Sequence, residues 1–129
     1  MGETASSESS RDARRFERPI VRRLRKLCLS LPEVNERASW GHPNFRANKR
    51  TFVTFEVVKS RPSMAFRLTP DQVTVLLQRK QFFATPYGRG KWASLWADGP
   101  LNWKLVDDLV HRSYRTVANK RLIDRLDGR

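Results

Sequence analysis

The sequence predicts an α+β domain in which helices pack on one face of a five-stranded antiparallel sheet, in the order helix, four strands, helix, strand, helix. Two patterns indicate this fold class. Apolar residues recur at helical spacing near both ends of the chain, and they alternate with a period of two between Glu36 and Leu68. With 129 residues, of which 39% are hydrophobic, the chain has enough apolar material for one core.

The amino-terminal region divides into a tail and a basic helix. Residues 1–15 are rich in Ser and Arg and poor in large apolar groups, so we expect them to be disordered. Pro19 suits a first helical turn, and the apolar spacing after it predicts a helix over Arg18–Ser30. The segment Arg11–Lys26 has eight basic and two acidic residues, 8 − 2 = +6, which is nearly half of the net charge of +13. We expect the folded domain to span residues 16–119.

Four short strands should follow the first helix. Gly41–Pro43, Asn48–Arg50 and Lys59–Pro62 are the expected connections, and each is short enough for a meander. The residues predicted to face inward are Ala38, Trp40, Phe45, Ala47, Val53, Phe55, Val57, Met64, Phe66 and Leu68.

The second half of the chain should contribute two helices and a strand. Thr69, with Pro70 and Gln72 after it, has the chemistry of a capping box, and Asn102 can cap the last long helix. Between these helices the alternation predicts a fifth strand over Lys91–Ala97. Residues 120–129 are expected to form a carboxy-terminal tail or to extend the last helix.

Several short motifs resemble the MmcQ/YjbR-like family over roughly Leu24–Ala118. They are Leu31-Pro32-Glu33-Val34, Trp40-Gly41-His42-Pro43, Lys91-Trp92, Asp98-Gly99 and Ser113-Tyr114. The resemblance implies a frataxin-like fold and a double-wing, DNA-binding arrangement. The chain departs from the family pattern in its glycine-rich stretch Tyr87–Lys91 and in the arginine-rich extension before Pro19.

An excess of 26 Lys and Arg over 13 Asp and Glu favours a polyanionic partner. We therefore expect a non-catalytic nucleic-acid-binding protein, with DNA as the expected nucleic acid, that contacts phosphates through two basic hairpin wings and the basic first helix. The alternative is a protein-interaction module for an acidic partner. The residues expected to bind nucleic acid are Arg22, Arg23, Arg46, Lys49, Arg50, Lys59, Arg61, Arg67, Arg89, Lys91 and Trp96.

Trp96 is included because of the alternation in the fifth strand. Its small and aliphatic side, Ala93, Leu95 and Ala97, suits close approach by helices. Trp96 and Trp92 would then lie on the opposite face of the sheet, which we expect to meet solvent. The same alternation sends Arg37, Arg46 and Arg67 outward, and aromatic rings beside basic groups can stack unpaired bases. The alternative is that both tryptophans are core residues and the alanines face water.

The remaining chemistry favours no enzyme, cofactor or metal. His42 and His111 lie in no nucleophile motif, the glycines form no dinucleotide fingerprint, and Cys28 is the only cysteine. Asp107-Asp108 is the only adjacent acidic pair, so the positive charge disfavours the iron binding that a frataxin-like fold would suggest. We expect a cytoplasmic protein with no membrane association, and the oligomeric state stays open.

Overall fold

The computed structural model describes residues 19–129, and the predicted tail over residues 1–15 lies outside them. The helices are α1 (residues 19–29), α2 (Pro70–Leu76), α3 (Trp103–Val117) and α4 (Lys120–Leu126). The strands are β1 (Asn35–Ser39), β2 (His42–Ala47), β3 (Arg50–Val58), β4 (Arg61–Arg67), β5 (Phe82–Ala84) and β6 (Trp92–Trp96).

The six strands form one antiparallel sheet in the order β1-β2-β3-β4-β6-β5. The α+β class with an antiparallel sheet is therefore confirmed, and the meander over the first four strands is present. The prediction of five strands was wrong, because Phe82–Ala84 adds a sixth strand at the edge beside β6. Three residues are too few for a period of two to be visible in the sequence.

All three hairpins of the meander close through two-residue turns with positive φ at both central residues. The turns are Trp40-Gly41 (54° and 78°), Asn48-Lys49 (50° and 63°) and Lys59-Ser60 (52° and 62°). Such turns match the right-handed twist of the paired strands. The predicted connections were longer and, at the first hairpin, lay one residue too late. Trp40, predicted to face inward, is a turn residue instead.

The core lies between the helices and one face of the sheet. Val53 pairs with Phe66 and Phe55 with Met64 across β3 and β4, and their buried side chains pack in one cluster with residues of all four helices. A register shift at Phe45 and Arg46 leaves Phe52 without a partner on β2, and Phe52 packs edge-to-face on Tyr114 of α3 with 5.7 Å between the ring centroids. Ala93, Leu95 and Ala97, the predicted inward positions of the strand expected over Lys91–Ala97, are confirmed because all three are buried in this cluster.

The predicted helix caps are also confirmed. The Thr69 side chain accepts from the backbone N–H of Gln72 at 3.3 Å, and the Gln72 side chain accepts from the Thr69 N–H at 3.0 Å. At the start of α3, the Asn102 side chain accepts from the N–H groups of Lys104 and Leu105.

Residues 120–129 do not extend α3. The chain leaves the helical conformation at Ala118, and Asn119 caps α4 through the N–H of Leu122. Leu122 is buried in the core, and Glu33 forms ion pairs with Arg121 and Arg125. The expectation of a tail or an extension was wrong because an Asn at this position stops one helix and starts another.

Candidate nucleic-acid interface

The face of the sheet opposite the core is here called the open face. Its side chains can be identified from one row of paired residues that crosses all six strands. Directly paired residues share a face, so the row can be followed from strand to strand. It consists of Arg37, Asn44, Thr54, Ala65, Ser94 and Phe83. Trp92 and Trp96 flank Ser94 two residues away, and therefore lie on the open face as predicted.

The open face was expected to meet solvent, but part of it is covered. Thr54, Ser63, Ala65, Thr85 and Ser94 are each 9% exposed or less, although they do not face the helices. Thr85 and Ser94 satisfy each other through a hydroxyl-hydroxyl hydrogen bond of 2.7 Å. Aromatic side chains of β5, β6 and the loop between them lie over these small residues, so this part of the face forms a second, thinner packed layer.

Trp96 is held between two neighbours in this layer. Its ring stacks on Phe83 with 4.0 Å between centroids and 25° between planes, and the Arg61 guanidinium lies 3.8 Å from the ring centroid. Phe83 belongs to β5 and Arg61 to β4, the strands on either side of β6, so the two groups cover opposite faces of the indole. The stacking of a base on Trp96 stays a prediction, and a base would have to displace one of these two groups.

The loop between β5 and β6 crosses the open face as a strap over residues 85–91. Tyr87 packs edge-to-face on Trp92, and its hydroxyl donates to Glu56 on β3. Burial, followed by the bond to Glu56, raises the pKa of Tyr87 above its ordinary value, so the phenol stays a donor at neutral pH. Gly88 has φ of 83°, and a Cβ there would overlap the Trp92 ring, so this close approach requires glycine.

Six predicted binding residues gather where β2 turns into β3, where β4 ends and where β6 begins. We call them the second-turn patch: Arg46, Lys49, Arg50, Arg67, Arg89 and Lys91. Arg50 and Arg67 lie at the same end of the neighbouring strands β3 and β4. Burial, followed by the like charge of Arg50, lowers the pKa of the Arg67 guanidinium. Lys91 adjoins them, since its carbonyl accepts from the N–H of Leu68 at 2.8 Å.

The cations of the second-turn patch have no acidic partner among residues 19–129. Arg46 donates to the carbonyl of Lys49 at 2.6 Å, and its buried Nε has no partner in the described residues. Like charges collected without carboxylates are costly unless an anion neutralises them.

The other predicted residues lie elsewhere. Lys59 and Arg61 are at the opposite end of the sheet, across the nine residues of β3, which corresponds to roughly 27 Å. Arg61 is bound to Asp98, whose pKa it lowers through that hydrogen bond, and is therefore partly neutralised. Arg22 and Arg23 belong to α1 on the helical side, where the Arg23 guanidinium lies 4.6 Å from the centroid of a Trp103 ring. The structure thus brings six of the eleven predicted residues together.

Sequence reasoning missed two features of the open face. Trp40 at the first turn is 95% exposed, and Tyr87 is bonded to Glu56 across two strands. The Trp40-Gly41 dipeptide between two alternating segments was a usable signal, because glycine is favoured at the second central position of such turns. The Tyr87 contact had no local signal, since 31 residues separate it from Glu56.

Other chemistry is sparse in the described residues. No group of three or more His, Cys, Asp or Glu side chains between residues 19 and 129 is arranged to hold a metal ion. Cys28 is buried, and this burial raises the pKa of its thiol. None of the helices in this part of the chain combines the length and the apolarity needed to cross a membrane.

The fold and this surface define a small α+β domain with a cluster of cations at one end of its sheet. The YjbR family model matches residues 29–116, which is more than half of the chain. The chain therefore belongs to the YjbR family, which confirms the resemblance seen in its motifs. Among curated proteins none matches the chain significantly.

Solved structures of similar fold include proteins from three bacteria. A Deinococcus radiodurans protein with a DUF419 domain is 19% identical, with a TM-score of 0.64 over 81% of this chain and 85% of that one. A Bacillus subtilis protein of the DUF1801 family is 16% identical, with a TM-score of 0.60 over 89% and 91%. A Pseudomonas syringae protein is 14% identical, with a TM-score of 0.60 over 67% and 89%. These likenesses show the fold alone.

Proposed function

We propose that this protein is a non-catalytic nucleic-acid-binding domain that contacts phosphates through the second-turn patch, with DNA as the expected ligand. The observation that carries the proposal is the gathering of six cations at one end of the sheet with no ion pair to any described carboxylate. Elsewhere on the described surface many cations are paired, including Arg112 with Asp108 and Arg115 with Asp127. Cations without a described acidic partner also occur outside the patch, as at Arg79 and Lys104, so it is the clustering of six of them that distinguishes this end of the sheet.

The contacts within the patch support a role in phosphate binding. Lys49, Arg50, Arg89 and Lys91 are exposed, and Lys49 and Arg89 stand on turns with positive φ, which project them from the end of the sheet. Arg67 is half-buried beside Arg50, and a bound phosphate between the two would offset their mutual repulsion. Phosphate contacts of this kind position a protein without reading sequence, so we expect weak sequence preference.

The two predicted wings contribute unequally in this proposal. The Asn48-Lys49 hairpin contributes Arg46, Lys49 and Arg50 to the second-turn patch. At the Lys59-Ser60 hairpin, Lys59 is exposed and has no described acidic partner, whereas Arg61 is paired with Asp98. Arg22 and Arg23 lie on the helical side, so they serve a second contact surface, together with any contribution from the basic residues before Pro19.

The proposal is tested with the triple variant Lys49→Gln, Arg50→Gln, Lys91→Gln. We expect its affinity for duplex DNA at low salt to fall by about tenfold or more, because phosphate contacts are lost. Each lost contact should also make the salt dependence shallower by about one unit of slope. The matched control is Arg79→Gln, Lys80→Gln, Lys104→Gln, which removes the same charge from exposed cations outside the patch that have no described acidic partner.

Equal weakening by both triple variants would mean that net charge alone drives binding and would contradict a specific interface. Tight binding to an acidic protein combined with no binding to DNA or RNA would favour the alternative, an interaction module for an acidic partner. Thermal unfolding of both variants should match that of the parent, because the substituted side chains are exposed.

A further inference from the structure

Trp40 is the most exposed large apolar side chain in the described residues, at 95%. It occupies the first central position of the β1-β2 turn with φ of 54°, a conformation that a bulky side chain rarely adopts and that asparagine or glycine adopts readily. A tryptophan here contributes nothing to the core and strains its own backbone. Strain and exposure at one residue indicate a role outside folding.

A cleft adjoins this turn on the open face. It has a volume of about 320 Å³ and is lined by Ser39, Trp40, His42, Asn44, Glu56 and Val57. Oε1 of Glu56 accepts from the hydroxyls of Thr54 and Tyr87, while Oε2 has no partner among the described residues. The strap therefore fixes a carboxylate at the edge of the cleft, beside an amide, an imidazole and an indole.

Unpaired cations flank the cleft on both sides. Arg37 pairs directly with Asn44 on the open face, and Lys59 stands at the neighbouring turn at the same end of the sheet, two strand spacings from Trp40, or roughly 10 Å away. Neither has an acidic partner in the described residues. From Arg37, the line of positive charge continues along β2 to Arg46 and the second-turn patch.

We propose that the cleft binds an unpaired nucleobase of a single strand, which stacks on Trp40 and presents its polar edge to Asn44 and Glu56. The phosphates of the strand on either side of this base would contact Arg37 and Lys59. This inference rests on the proposed function and narrows its ligand class to single-stranded nucleic acid at this end of the open face. Carboxylate and amide side chains pair with the amino groups and ring nitrogens of bases. Aromatic platforms stack bases of any sequence.

The cleft fits a base better than a protein segment. An apolar partner helix or strand would need an apolar groove, whereas four of the six lining residues here are polar or charged. The Glu56 carboxylate would repel a phosphate group. It can instead accept a hydrogen bond from an amino group on the edge of a base, while Arg37 and Lys59 bind the phosphates of the nucleic-acid backbone.

The test uses Trp40→Asn in the full chain, with Trp40→Phe as the conservative variant. Asparagine suits the turn, so Trp40→Asn should fold with unchanged or higher thermal stability while losing the ring. We expect its affinity for an unstructured single-stranded DNA of about ten nucleotides to fall by roughly 5- to 150-fold, the range for one stacked base. Duplex affinity should change less than twofold, and Trp40→Phe should retain most of the single-strand affinity.

The outcomes separate this inference from the proposed function. If the triple variant in the second-turn patch weakens DNA binding while Trp40→Asn leaves single-strand affinity unchanged, the inference is overturned and the proposed function stands. If the parent protein binds neither duplex nor single strand, both fall. A loss confined to single strands, restored by phenylalanine, supports a stacking site.

Discussion

Four tryptophans in the same small domain have different surroundings, and those surroundings decide what each can do. Trp96 is covered by Phe83 on one side and Arg61 on the other, whereas Trp40 is almost fully exposed. The alternation of β6 predicted the face on which Trp96 lies. It could not predict the neighbours, because they come from β4 and from β5, a strand too short to be recognised in the sequence.

We expect Trp96→Ala to lower the free energy of unfolding by about 2 kcal/mol, since the indole loses one aromatic stack and one cation-π contact in a half-buried position. Chemical denaturation measures this loss, with Trp40→Ala as the exposed control that should change stability little. A loss of about 3 to 5 kcal/mol would mean that Trp96 is a full core residue. Unchanged single-strand affinity in a folded Trp96→Ala protein would contradict the predicted stacking role.

The elements of the fold were predictable to the degree that their signals are local. The capping residues Thr69 and Asn102 act within three positions, and the alternation of β3 and β4 extends over enough residues to be seen. The turn at Trp40-Gly41 was misplaced because an aromatic residue with positive φ contradicts ordinary turn preferences. The residues of the second-turn patch were predicted from the sequence as binding residues. That they lie close together could not be predicted, because it depends on the strand order, in which β6 lies beside β4.

The last helix provides the clearest element-scale prediction. Leu122 is 1% exposed, so we expect Leu122→Ala to cost about 2 to 5 kcal/mol of unfolding free energy. Lys120→Ala is the control, because the Lys120 side chain is 91% exposed. Equal, negligible effects of both substitutions on denaturant unfolding would mean that residues 120–129 behave as the frayed tail expected from the sequence.

For the whole molecule, the decisive property is the distribution of the net charge of +13. Ion pairs tie the carboxy-terminal helix to the body, through Glu33 with Arg121 and Arg125 and through Asp127 with Arg115. By contrast, Arg37 near the first turn and the six cations of the second-turn patch have no acidic partner among residues 19–129. A molecule arranged in this way should release counterions when it binds a polyanion.

The dependence of duplex DNA affinity on salt concentration tests the central claim most directly. If about four to six cations engage phosphates, the logarithm of the association constant should fall against the logarithm of salt concentration with a slope of roughly −4 to −5. We expect affinity in the micromolar range or weaker, nearly independent of DNA sequence. A flat salt response, or no binding at low salt, would contradict the claim that this domain is a nucleic-acid-binding protein.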